Sequence, residues 1–226
     1  MSIASNIHTY LAAIQKSCHE YGRDPKEVLL LAVSKKQTAS AIREAHQAGL
    51  NHFGESYWQE ARDKQTELQD LPLTWHFIGP MQSNKAKAIA KRFDWVHSVC
   101  RKDITEKLNQ ARPDDMPPLN ICLQVNLDKD PNKSGVQSKE ALLELVRFIH
   151  TQPKLQLRGL MTIPDKSQDA SHTFHQLKTW FDELKQTEPA CFDTLSMGMT
   201  EDFQAAIQYY STCIRIGRGI FNQVQL

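Results

Sequence analysis

Two adjacent amines close the most apolar stretch of the chain. In "VLLLAVSKKQTAS" (28–40), five of the first six residues are large and aliphatic, and the run then meets Ser34, Lys35 and Lys36. A primary amine at the end of a buried strand can attack an aldehyde carbon when apolar walls strip its solvation and lower its pKa. Side chains alternate along a strand, so only one of Lys35 and Lys36 can face inward. The plain alternative is a pair of solvated charges where the strand reaches water.

A second group lies near the C-terminus. "LSMGMTEDF" (195–203) runs through Gly198 to Thr200, a residue type suited to cap a helix, with Glu201 and Asp202 expected in the first turn. "IRIGRGIF" (214–221) follows, where Gly217 and Gly219 permit close backbone approach. Ser196, Gly198, Gly217 and Gly219 together could offer donors to a phosphate; turn glycines and a helix cap are the competing reading. An amine and a phosphate cradle suit a phosphorylated aldehyde, either the cofactor pyridoxal 5′-phosphate or a sugar phosphate on an aldolase. Alternation puts Arg215 on the same inward side as Gly217. A guanidinium, with a pKa above ~12, keeps its proton beside a pyridine nitrogen and leaves that ring a weaker electron sink.

The elements that must position these groups alternate. Apolar, β-rich runs fall at 28–34, 51–54, 73–79, 94–99, 119–127, 155–163, 192–197 and 213–217. Amphipathic stretches at 38–49, 56–69, 83–92, 102–111, 137–151, 168–187 and 200–210 separate them. Eight strands with crossover helices predict an α/β fold, a (β/α)8 TIM barrel, in one domain over residues 1–226. The weakness of "NHFG" and "DWVHSV" as strands keeps an open doubly wound sheet as the alternative. An additional N-terminal helix over about residues 2–21, with Ile3, Ile7, Tyr10, Leu11 and Ile14 as its apolar positions, is expected to fill the slot of a closing helix.

Charge and composition exclude several classes. Lys and Arg number 27 against 26 Asp and Glu, so no basic footprint marks a nucleic-acid binder. Mean hydropathy is −0.50 and no apolar run approaches the ~18 residues of a membrane span. Five scattered cysteines without a Cys-x-x-Cys pair, and an N-terminus unlike a secretory signal, predict reduced thiols and a cytoplasmic location.

"LLAVSK", "HFGES", "WHFIGPMQSNK", "LMTIP", "LSMGMTEDF" and "IRIGRGIF", in this order over nearly the whole chain, resemble the pyridoxal phosphate homeostasis protein family. The resemblance implies a single barrel similar to the N-terminal domain of alanine racemase, with pyridoxal 5′-phosphate as cofactor. It implies an internal aldimine on Lys35 rather than Lys36, Arg215 near the pyridine nitrogen, and a phosphate cradle from Ser196 and the backbone at Gly217 and Arg218. The chain departs from the family in three places: Ser56 stands where a longer amide is usual, Arg218 where a threonine is usual, and Thr38 where a proline is common. The resemblance also extends to "KSG", so Lys133 could hold a second aldehyde, although a solvated loop lysine is the plainer expectation. His172 and His175 have the spacing of a metal pair but lack a third ligand, which predicts a helix surface. Asn84 and Lys85 are expected to open a helix near the barrel mouth.

The racemase uses a second proton-transfer group from a further domain, and this chain is expected to lack one. With Arg215 weakening the electron sink, the expected function is management of cofactor supply by a non-catalytic carrier. Its partners would be pyridoxal 5′-phosphate and recipient apo-enzymes, and the chain is expected to be monomeric. A racemase, a Schiff-base aldolase or a purely regulatory barrel are the alternatives.

Overall fold

The computed structural model describes residues 2–165 and 169–221. Its strands are β1 (Leu29–Val33), β2 (His52–Glu55), β3 (Thr74–Phe77), β4 (Trp95–Val99), β5 (Leu119–Val125), β6 (Leu155–Thr162), β7 (Thr194–Ser196) and β8 (Cys213–Ile216). All neighbours pair in parallel in the order of the sequence, and β8 returns to β1 with Leu31 opposite Arg215. The barrel is therefore closed, which overturns the open-sheet alternative. β2 and β4 look weak in sequence because histidines occupy inward positions that most barrels fill with Val, Ile or Leu.

The helices are α1 (Ile3–Glu20), α2 (Ala39–Gln47), α3 (Trp58–Glu67), α4 (Ala86–Ala90), α5 (Lys102–Ala111), α6 (Lys139–His150), α7 (Ala170–Lys185), α8 (Phe203–Gln208) and α9 (Arg218–Phe221). They lie outside the barrel, where outward strand residues such as Leu30, Ala32, Phe53 and Ile214 meet them in the hydrophobic core. Among the described residues no helix is long and apolar enough to cross a membrane.

Helix α1 begins where Ser2 Oγ accepts the Ser5 amide at 3.2 Å. It buries Ile7, Ile14 and Cys18 along one stripe and packs against α2, α8 and α9. It thus covers the gap in the helical ring, as expected, but a one-turn closing helix, α9, also follows β8. Leu11, counted in the apolar stripe, is instead 41% exposed. Gly219 belongs to this contact: a Cβ there would stand 2.1 Å from Tyr10 Oη, so its close approach is to α1. Gly198, at φ +96, serves packing in the same way, because a Cβ would stand 2.6 Å from Ala206 Cβ.

Candidate functional site

The carboxyl ends of the strands surround a cavity of about 560 Å³. Inward alternation through Leu31 and Val33 carries on to Lys35, which lines this cavity, whereas Lys36 does not. Ser56, Arg215, Gly217 and Arg218 line it as well, so five of the six residues that the family resemblance brought to the cofactor site meet in one place, whereas Gly198 and Gly219 do not reach it. Ser196 is the sixth, and it is fully buried and absent from the cavity wall. Lys35 is exposed at the rim, so the apolar enclosure expected around its amine is not present.

Met199, Thr200, Glu201 and Asp202, in the loop that follows β7, form a further part of the wall. Here the expected helix start is corrected. Asp202, not Thr200, precedes α8, and its Oδ1 accepts the Met199 amide at 2.6 Å. That bond folds residues 199–202 into a turn and leaves Thr200 facing the cavity. Burial pushes the Asp202 carboxyl above the usual carboxylate range, against the pull of the Met199 amide and Arg215. The Arg218 side chain makes an exposed ion pair with Glu201 at 3.2 Å.

Arg215 is the unusual charge. It is only 4% exposed, yet its two side-chain hydrogen bonds go to neutral groups, the Ser196 hydroxyl and the Thr162 carbonyl, both at 2.9 Å. Burial lowers its pKa from the ordinary arginine value, partly offset by Cys213 and Asp202. Behind it runs a row that sequence reasoning missed. Ser196 Oγ lies 2.8 Å from His97 Nδ1, His97 Nε2 lies 2.9 Å from His76 Nδ1, and His76 Nε2 lies 3.0 Å from His52 Nδ1. His97 is held down to about 3 by burial and then by the Arg215 charge, and burial lowers His76 and His52 as well, which favours the neutral form along the row. The available signal was a histidine at an inward position in three successive strands, "NHFG", "WHFIG" and "WVHSV".

Other expectations fall elsewhere. A second cavity of about 630 Å³ opens at the opposite end of the barrel, walled by His76, Trp95, His97 and Arg158, and none of the six residues reaches it. Lys133 lines a third cavity of about 300 Å³. It is not solvated as expected: its side chain is half-buried, with the amine 4.0 Å from Asp128 and 3.6 Å from Asp130. His172 and His175 are exposed on α7, and among the described residues no group of three His, Cys, Asp or Glu side chains could hold a metal. Asn84 and Lys85 do precede α4 but do not reach the upper cavity.

A closed parallel barrel with an amine and a buried guanidinium at its carboxyl end defines a class, and the chain matches the model of the alanine racemase N-terminal domain over residues 11–223. It is 49% identical over 223 residues to the pyridoxal phosphate homeostasis protein of Pseudomonas aeruginosa, covering 97% of this chain and 95% of that one. PipY of Synechococcus elongatus PCC7942 superposes with a TM-score of 0.85 without PLP, at 38% identity over 98% of this chain and all of that one. The same protein with PLP bound gives 0.83 at 36% identity, again over 98% of this chain and all of that one. This chain belongs to the pyridoxal phosphate homeostasis protein family.

Proposed function

We propose that this chain, acting as a single cytoplasmic domain over residues 1–226, binds pyridoxal 5′-phosphate in the upper cavity and buffers its supply to other enzymes. The observation that carries the reading is the pairing, in one cavity, of the Lys35 amine with a buried guanidinium that no carboxylate bonds. About 560 Å³ lies within the usual range of small-molecule sites. A PLP-bound relative with the same fold supports the choice of ligand.

The bound cofactor would supply an aldehyde carbon that condenses reversibly with a primary amine. Lys35 holds the amine at the rim. Arg215 lines the cavity, is pinned by its bonds to Ser196 and Thr162, and as a guanidinium does not hand over a proton. It therefore favours a ring nitrogen that accepts a hydrogen bond rather than one that carries charge. The backbone at Gly217 and Arg218 borders the cavity where a phosphate would find main-chain donors, and a Cβ at Gly217 would press on the Val33 carbonyl at 3.2 Å. Ser56 and Thr200 add hydroxyls to the wall. Ser196 serves the site through Arg215 rather than by contact.

This arrangement suits holding and release better than racemisation. The weakened electron sink and the name of its relatives support a non-catalytic carrier; in this reading it works as a monomer and gives its cofactor to apo-enzymes. Borohydride reduction of cofactor-loaded protein, followed by peptide mass mapping, tests the reading. A pyridoxyl group on Lys35, absent from Lys35→Ala, is expected. An adduct elsewhere, or rapid D/L interconversion of amino acids, would refute it.

A further inference from the structure

Both peptide groups that flank Lys35 are pinned to one buried ion cluster outside the barrel wall. The alternation that turns Lys35 toward the cavity turns Ser34 outward, between β1, β2 and α3. There Ser34 Oγ donates to Glu55 Oε1 at 2.6 Å. The Lys64 ammonium donates to the Ser34 carbonyl at 2.6 Å, to Glu55 Oε1 at 2.8 Å and to Glu60 Oε1 at 2.5 Å. Glu60 Oε1 also accepts the Lys36 amide. The carbonyl on one side of the Lys35 Cα and the amide on the other thus share a single anchor.

Stability does not account for this cluster. Ser34, Glu55 and Lys64 are all buried, and Glu55 Oε2 has no hydrogen-bond partner. Burial raises the Glu55 carboxyl more than its bonds to Lys64 and Ser34 lower it. A buried ion pair of this kind roughly breaks even against apolar side chains of equal volume. Lys36 adds a cost of its own, since its φ of +64 lies in the left-handed region that non-glycine residues seldom occupy. Backbone strain of this kind persists where its surroundings over-determine it, and here the Glu60–Lys36 contact does so. What the cluster secures is the direction in which residue 35 leaves the strand.

We propose that Glu55, Lys64 and Glu60 are positioning residues for Lys35, holding the backbone on both sides of it so that its amine is presented to the cavity for covalent capture of an aldehyde. The proposal rests on the function given above. In capture, Nζ replaces the aldehyde oxygen, which leaves as water, and no oxidation state changes.

Two probes separate positioning from folding. Pyridoxal 5′-phosphate can join a lysine; pyridoxamine 5′-phosphate, with an amine in place of the aldehyde, cannot. In Lys64→Met and in Glu60→Ala, the half-buried position whose loss the fold tolerates best, capture at Lys35 measured by borohydride trapping should weaken roughly tenfold or more. Affinity for pyridoxamine 5′-phosphate should stay within about twofold of the parent protein. Glu55→Gln keeps an acceptor for Ser34 and Lys64 and should retain most of the capture, whereas Glu55→Leu should not. Unchanged capture in both Lys64→Met and Glu60→Ala, or a parallel loss for the two probes, would overturn the positioning role. If the parent protein itself forms no adduct on Lys35, the proposed function fails and this inference with it. A parent protein that forms the adduct, beside variants that match it, sinks this inference alone.

Discussion

Ser196 Oγ sits between a permanent cation and a neutral imidazole, 2.9 Å from Arg215 Nη1 and 2.8 Å from His97 Nδ1. Removing the hydroxyl leaves two buried donors or acceptors without partners, and such groups cost about 1–3 kcal/mol. Ser196→Ala is accordingly expected to lower unfolding free energy by that amount in urea titration, although the residue never touches the cavity. His97 responds to pH. Its folded pKa of about 3 lies below the ordinary 6.5, so below pH 6.5 the unfolded chain takes up a proton that the folded chain refuses. Stability from this residue is complete above pH 6.5 and is lost as pH falls toward 3. The expected slope is about 1.4 kcal/mol per pH unit. Chemical denaturation between pH 7.5 and 4.5 should therefore show a shallower decline in His97→Gln than in the parent protein. An equal decline in both would mean that His97 is protonated in the fold.

Packing between elements makes sharp demands on two glycines, Gly219 and Gly159. At Gly219 the nearest atom to an added Cβ is the end of the Tyr10 side chain, at 2.1 Å; at Gly159 it is the Thr194 carbonyl oxygen of β7, at 1.7 Å. A side chain can yield and a strand backbone cannot. Gly159 also lies at the register shift between β5 and β6, with φ +158. Gly219→Ala should cost about 1–3 kcal/mol, as overpacking usually does, while Gly159→Ala should cost more or prevent folding. Thermal unfolding of the two variants gives the order, and a reversal would contradict the β6–β7 contact. Helix α1 makes a similar claim on Ile7, which is fully buried beneath it. Ile7→Ala should destabilise by about 2–5 kcal/mol.

Over the whole molecule, the barrel trades part of its usual aliphatic filling for a polar row that runs from the upper cavity toward the opposite end. The row supports Arg215, and the cavity above it is where ligand binding would feed back on the fold. A ligand that binds only the folded state at 100 times its dissociation constant adds about 2.7 kcal/mol of stability. Saturating pyridoxal 5′-phosphate should therefore raise the unfolding midpoint of the parent protein. The rise should be smaller in Lys35→Ala, which keeps the cavity and loses the amine; an identical rise would show that Lys35 contributes nothing to the affinity.

The repeated strand–helix order, eight strands deep, was enough to predict the barrel, because each apolar run and each amphipathic stretch declares its own period locally. Arg215 and Gly217 were legible for a related reason, since alternation along β8 puts both on the inward side; alternation left Lys35 and Lys36 as alternatives, and the family resemblance is what pointed to Lys35, Arg218 and Ser56. What three-dimensional closure decided were the relations between distant strands. Only the barrel brings His52, His76 and His97 into line with Ser196, turns Gly219 toward Tyr10 and shelters Lys133 between two aspartates. Hydrogen bonds and steric contacts between residues tens of positions apart have no period to read, so they exist only once the sheet has closed.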